Sequence, residues 1–502
     1  MHWFLYLIGG ALSAFWLLWR YKNRRMIEMA KKLPGPRAMP FLGNALLFIR
    51  HPDEFAKVMK ELMVEFGGLF KFWLGPDLNV VVSNPDDLKI LLTNSKTSVK
   101  GPQYKYMADV IGGGLLSGSG PTWRKHRKIV NPNFGKRAIE NYGMGFNKEA
   151  DDLLKKFRSM GREQFDVYTH VVQTTSHAVC QTLMGLTKEQ TLKIPHIEKM
   201  IEDTPSLHDL AFKRMTKWYL QIDPIFWVSS EYYALKNFMK LMTEFCEDIL
   251  LNRAERLKTL EVSKRDLMNT EDDADVNTQL SVIDRFLLSQ ELNKDELVQE
   301  TFTIFTTSQE PTAKILSFNL LMMAYHPKCQ EKLYAEIKSV IGDEDRNVTD
   351  DDFKRMPYLD MAFNEVLRLF PAGTAVQRTI TEDITISTHT LPAGCSLVVP
   401  IYHLHRDPRF WSNPDRFDPE RFNSENVKKR NPNCYIPFSL GPMGCLGRYF
   451  AANLIKTLCT RVLREFELTS TETYDDLRVI ISAAVNSVNG FPIMLNPRKK
   501  IS

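Results

Sequence analysis

Phe438-Ser439-Leu440-Gly441-Pro442-Met443-Gly444-Cys445-Leu446-Gly447-Arg448-Tyr449-Phe450-Ala451 is the stretch that decides how this chain folds. Cys445 stands between glycines, just before an amphipathic run with Phe450, Leu454, Leu458, Val462 and Phe466 at helical spacing. The free N–H groups and positive end of such a helix favour a thiolate over a thiol. Glycines at 441, 444 and 447 let the backbone approach a flat ligand with no Cβ in the way. By composition alone a helix-start cysteine is more often a small buried hydrophobe than a ligand, so the motif is weighed with the rest of the chain.

Three more motifs lie upstream. Glu365-Val366-Leu367-Arg368 sits on a largely apolar helix that ends at Pro371, with its two charges adjacent at i,i+3. Such a pair is at least partly buried and calls for a further partner. Trp123-Arg124-Lys125-His126-Arg127 puts two N–H donors, Trp123 and Arg127, one helical turn apart. His405-Arg406-Asp407-Pro408 runs on through Trp411 and Pro414 to Phe417-Asp418-Pro419-Glu420-Arg421-Phe422. With Phe-x-x-Gly-x-x-x-Cys-x-Gly at 438–447, these motifs resemble the cytochrome P450 family, the haem-thiolate monooxygenases. The likeness runs from about residue 33 to the end, and its spacing is similar to the animal fatty-acid ω-hydroxylase branch and its insect relatives.

The resemblance implies a mainly α fold, a large helical body with small β-sheets. It implies haem (iron protoporphyrin IX) with Cys445 as the axial thiolate and metal ligand, which pushes electron density toward bound oxygen. Phe438, Gly441 and Gly447 then flank the cofactor, while Trp123, Arg127 and Arg378 serve its propionates. Arg421 joins Glu365 and Arg368 in a supporting network. The implied partners are an NADPH-cytochrome P450 reductase, cytochrome b5 and a lipophilic substrate. The reductase is a separate protein, because this chain shows no nucleotide-binding glycine fingerprint. Arg124, Lys125, Lys128, Lys428, Lys429 and Arg430 offer it a basic face, or form an ordinary solvated one.

Two departures bear on mechanism. Met443 stands where the family usually has a propionate-binding arginine. In the long helix expected over the haem, Thr307-Ser308-Gln309-Glu310-Pro311-Thr312 keeps the family's acid as Glu310 but has Pro311 for the usual proton-relay threonine. Proline lacks an N–H and pushes off the carbonyl four residues back, so a kink at Thr307 is expected. Glu310, Ser308 and Thr307 are the catalytic candidates, and Thr312 lies about 100° away around the helix. Thr307 also occupies the place where the ω-hydroxylase branch often carries a haem-esterified glutamate, so covalent haem is not expected. The altered relay admits a second reading, an isomerase or dehydratase of oxidised lipids that needs no reductase, and a third, a non-catalytic haem or lipid binder.

The chain divides into a transmembrane anchor (1–20), a basic, proline-rich hinge (21–45) and a catalytic domain (46–502). Trp3 to Trp19 is uncharged and at the short end of bilayer-spanning length, with Arg20, Lys22, Arg24 and Arg25 directly after it. The charges lie on the wrong side for a signal peptide. This pattern implies a single-pass protein of the endoplasmic reticulum membrane with a cytosolic body. Lys31–Pro36 reads as a non-helical stiffener. Helices are expected near 136–158, 232–259, 293–325, 328–340, 358–370 and 448–466, short strands at 78–83 and 396–400, and a charged surface loop at 255–280. At 502 residues and 44% hydrophobic the chain can bury a large core, and a net charge of +5 gives no reason to expect nucleic acid as a partner. Seven scattered cysteines without a CxxC pair fit a reducing compartment.

Overall fold

The computed structural model describes residues 2–48, 55–259, 280–344 and 346–498; the side chains of residues 2, 4–9, 11, 12 and 55 lie outside that description. The elements that position the site begin with α1 (His2–Lys22), α2 (Arg24–Lys31), β1 (Leu69–Leu74), β2 (Asp77–Val82) and β3 (Val99–Lys100). There follow α3 (Tyr104–Ile111), α4 (Gly120–Val130), α5 (Lys136–Ser159), α6 (Tyr168–Thr182), α7 (Ile197–Thr216) and α8 (Ser230–Thr259). The rest are α9 (Lys294–Tyr325), α10 (Pro327–Ile341), α11 (Pro357–Leu369), β4 (Val376–Thr379), β5 (Ser396–Val399) and α12 (Arg448–Glu465). The body is mainly helical with small sheets.

The long helix α9 organises the body. It starts at a capping box in which Asn293 Oδ1 accepts from the Glu296 N–H at 2.9 Å and Glu296 Oε2 accepts from the Asn293 N–H at 2.9 Å. It is buried over most of its length beyond the first turns, and it packs on α6, α8, α11 and α12. Phe302, Phe305 and Phe318 are fully buried, and Phe318 stacks on Phe370 with ring centroids 4.0 Å apart. Pro327 and Pro357 open α10 and α11 at positions where a missing N–H costs nothing.

The five-stranded sheet has the order β1-β2-β5-β4-β3. Only β2 and β5 run parallel, with Val81 opposite Val398. Residues from near 80, 100, 378 and 397 thus meet in one layer.

At the amino end, α1 covers the uncharged run, and among the described residues no helix is long and apolar enough to cross a membrane. Much of that run falls on side chains outside the description. Trp16 and Trp19 stack on each other at 4.9 Å and also meet the body, at Phe41 (4.9 Å) and Trp73 (5.7 Å), while Phe15, Leu17 and Leu18 stay exposed. The segment expected as a hinge is helical over Arg24–Lys31, because nothing before Pro34 interrupts it. Ala30 and Leu33 are buried in the body's core, and the Lys71 N–H donates to the Pro34 carbonyl at 2.8 Å, so this stretch is docked. Of the loop expected at 255–280, the first residues belong to α8, and 260–279 lie outside the described residues.

Candidate active site

The loop before α12 is shaped by its backbone. The Cys445 N–H donates to the Phe438 carbonyl at 2.9 Å, and the Gly444 N–H to the Gly441 carbonyl at 3.0 Å. Gly441 has φ +73°, and a Cβ there would lie 2.1 Å from the Leu92 carbonyl oxygen; only glycine fits. Gly447 caps α12, and its N–H reaches the Cys445 sulfur. Burial pushes the Cys445 thiol above its usual range, outweighing that N–H and the cations Arg127 and Arg448. The Gly447 N–H and the two cations favour a thiolate, as the helix start leads one to expect, and coordination to a metal ion deprotonates a thiol outright. The Cys445 side chain is accessible although protein surrounds it on almost every side, which is how a residue lining an interior space sits.

Three cations gather beside this loop. Arg127 Nη1 donates to the Gly444 carbonyl at 3.2 Å and Nε to Asn131 Oδ1 at 3.1 Å, with the guanidinium 6.0 Å from the Trp123 ring. Arg378, almost fully buried, is paired directly with Lys100 between β4 and β3. Burial, then Arg378, then Arg127 bring the Lys100 ammonium down to about 7.

On α9, burial is continuous from Glu300 to Met323 except at Thr307, Ser308 and Pro311, which share one face and are accessible. The Thr307 hydroxyl donates to the Thr303 carbonyl at 2.6 Å, and the Thr312 hydroxyl to the Ser308 carbonyl at 2.6 Å. The helix runs through Pro311, which has no N–H for the Thr307 carbonyl. Glu310 points elsewhere: it is buried, ion-paired with Lys314, and has its Oε2 3.5 Å from His208 Nδ1 on α7.

Glu365, Arg368 and Arg421 meet in the core. Arg368 donates from Nε and Nη2 to the two oxygens of Glu365 at 2.7 and 2.8 Å, and both residues are fully buried. Arg421 Nε lies 3.4 Å from Glu365 Oε1, and the Asp418 N–H donates to the same oxygen at 2.8 Å. The guanidinium of Arg368 also caps the carbonyls of His405 (2.9 Å) and Pro414 (2.6 Å). His405 Nε2 in turn accepts the Ile436 N–H at 3.0 Å, two residues before Phe438. The network thus braces the segment that leads into the cysteine loop.

The cytochrome P450 family model matches residues 33–484. The chain belongs to the cytochrome P450 family. Cytochrome P450 4c3 of Drosophila melanogaster is 28% identical, over 97% of this chain and 94% of its own length. Cytochrome P450 4V2 of Homo sapiens is 29% identical, over 98% and 95%. Cytochrome P450 4d1 of Drosophila simulans is 29% identical, over 99% and 98%. Like other cytochromes P450, this protein is a haem-thiolate monooxygenase whose haem iron takes a cysteine thiolate.

The residues present fit that group. Lys100, Arg127 and Arg378 form a convergence of like charge that is unfavourable in itself and is relieved by a dianionic ligand such as a pair of propionates. Lys100 was not among the residues singled out from the sequence. Nothing in Ser98-Val99-Lys100-Gly101-Pro102 marks it, and only strand pairing with a segment far along the chain brings it beside Arg378. In the basic set, Arg124, Lys128, Lys428 and Lys429 are exposed. Lys125 Nζ donates to the Glu291 carbonyl at 2.7 Å, and Arg430 lies over Trp411 at 4.1 Å with a bond to the Arg421 carbonyl. Those two belong to the fold rather than to a free face.

Proposed function

We propose that Cys445 is the axial ligand, that Trp123, Arg127, Arg378 and Lys100 hold the propionates, and that a lipophilic small molecule is hydroxylated against the Thr307–Ser308–Pro311 face of α9. The observation that carries this reading is that accessible face, the one opening in an otherwise buried stretch of helix. The bound haem supplies activation of O2. The protein aligns the substrate, excludes water with the apolar residues around α9, and holds exchangeable protons at Ser308 Oγ and Thr307 Oγ1. Pro311 removes one hydroxyl from this face, which leaves Ser308 and Thr307 as its proton-bearing groups.

Electrons come from an NADPH-dependent cytochrome P450 reductase, with cytochrome b5 as a second donor, docking on Arg124, Lys128, Lys428 and Lys429. Residues 1–20 anchor the chain in the endoplasmic reticulum membrane, residues 21–45 connect it to the body, and residues 46–502 form the cytosolic catalytic domain. This placement is supported by the uncharged run, the basic residues that follow it and the exposed Phe15, Leu17 and Leu18. Deleting residues 1–25 is expected to release much of the protein from membranes, and full retention contradicts the placement.

The test is reconstitution with reductase and a panel of lauric acid, farnesol and 7-ethoxycoumarin. A monooxygenase consumes NADPH and gives hydroxylated or O-dealkylated product only when reductase is present. Turnover of lipid hydroperoxide without reductase, with no NADPH-dependent product, contradicts the reading.

A further inference from the structure

Glu310 is a buried carboxylate that does not face the accessible side of α9. Burial alone would push its carboxyl up, but Lys314 and His208 more than offset this and hold it at about 2. His208 reaches across from α7 and touches α9 twice: Nε2 is 3.0 Å from Thr306 Oγ1, and Nδ1 is 3.5 Å from Glu310 Oε2. Tyr168 of α6 is close enough that Glu310 raises it further above its burial-shifted value, and its hydroxyl is buried without a hydrogen-bond partner among the described residues. The acid thus sits in a small polar compartment formed by His208, Thr306, Lys314 and Tyr168.

We propose that His208 is a positioning and proton-carrying residue for Glu310, and that protons for oxygen chemistry come in from the α7 side through this pair. The inference rests on the monooxygenase reading above. Among the described residues two basic groups lie within ion-pair reach of Glu310, and His208 is the more exposed, with 18% of its side chain accessible against 11% for Lys314. His208 presents one ring nitrogen to Thr306 and the other to Glu310, so it can take a proton on one side and release it on the other, whereas the single ammonium nitrogen of Lys314 is ion-paired with Glu310. An imidazolium at 208 donates to Glu310, the carboxylate passes that proton toward Ser308 and Thr307, and the ring takes a replacement from water. Each pass moves one proton inward and no electron with it, and two passes deliver the two protons that conversion of O2 to hydroxylated product and water consumes. Because α7 also packs on α3 and α8, displacement of α7 by an arriving substrate would reset the contact with Glu310.

The test compares wild type with His208→Gln, which keeps a hydrogen-bonding group and cannot carry charge, and His208→Leu, which removes both. Each is reconstituted with reductase, using whichever of lauric acid, farnesol or 7-ethoxycoumarin the wild type oxidises fastest. Both variants are expected to bind that probe within twofold of wild type, by the haem spectral shift. Product per NADPH should fall at least about tenfold, less than the roughly 10²–10⁴-fold contributed by a group that exchanges the proton directly, and the solvent deuterium isotope effect on product formation should rise. Wild-type coupling and isotope effect in His208→Leu overturn the proposal. Full coupling in His208→Gln alone overturns the proton-carrying role. A wild-type protein that oxidises none of the three probes overturns the monooxygenase reading, and this inference with it.

Discussion

Lys100 and Arg378 stand directly opposite one another in the antiparallel pairing of β3 and β4, two cations in register. Arg127, bonded to the Gly444 carbonyl, brings a third charge to bear on Lys100. The arrangement is costly unless an anion shares it, and in the proposed function that anion is the pair of haem propionates.

Replacing Lys100 with Met is therefore expected to weaken haem retention. A lost hydrogen bond to a charged group costs about 1.5–3 kcal/mol, so haem transfer to apomyoglobin should run about ten- to a hundredfold faster. The double variant Lys100→Met/Met443→Arg should recover much of the loss by restoring a cation from the other side. Unchanged transfer in Lys100→Met contradicts the assignment.

Glu365→Gln should be far more damaging than its single-atom change suggests. It leaves Arg368 and part of Arg421 buried without their counter-charge, and breaking such a pair typically costs about 3–5 kcal/mol. Chemical denaturation of the holoprotein measures this. Arg368→Lys should fare little better, because an ammonium cannot reproduce the two-pronged bond to Glu365 together with the caps on His405 and Pro414.

How legible this was in the sequence differs by element. The helices at Lys136–Ser159, Lys294–Tyr325 and Pro357–Leu369 could be placed within a residue or two, because long apolar periodicity and proline or asparagine starts are local signals. The cysteine loop was legible because its glycines answer a local steric demand, as Gly441 against Leu92 shows. Lys100 and His208 were not, since each acquires its role only through contacts with residues far off in the chain. Residues 32–36 lie outside any helix, as Pro34 and Pro36 indicate, while the short helix Arg24–Lys31 before them was not named from the sequence. The orientation of Glu310 away from the accessible face also depends on α7, which helical spacing on α9 cannot report.

Acid sensitivity should trace to His405. Burial, then Arg368 and Arg406, hold its imidazole down at about 3, against an ordinary value of 6.5. Above pH 6.5 the ring is neutral in both folded and unfolded chains. Below it the unfolded chain takes up a proton that the folded one refuses, so stability falls by about 1.4 kcal/mol per pH unit until the folded ring titrates near pH 3. His403, held at about 4, acts in the same direction over a narrower range. His405→Gln keeps an acceptor for the Ile436 N–H, and its unfolding free energy should decline less steeply than wild type between pH 6 and 4. Parallel slopes contradict this.

The Thr307–Ser308–Pro311 face predicts a coupling defect. Ser308→Ala should leave probe binding almost unchanged and divert more NADPH to peroxide or water, while Pro311→Thr should match or exceed wild-type coupling. Product, peroxide and NADPH measured in one reaction decide it. Ser308→Ala with undiminished coupling would show that protons reach the site without that hydroxyl.

The most direct measurement is the carbon monoxide difference spectrum of the reduced protein, recorded for wild type, Cys445→Ala and Cys434→Ala. Cys434 is buried, and burial pushes its thiol up to about 11, which makes it the matched control a few residues from the loop. The account predicts the long-wavelength band of thiolate-ligated haem in wild type and Cys434→Ala, and its complete loss in Cys445→Ala. Persistence of that band in Cys445→Ala would contradict it.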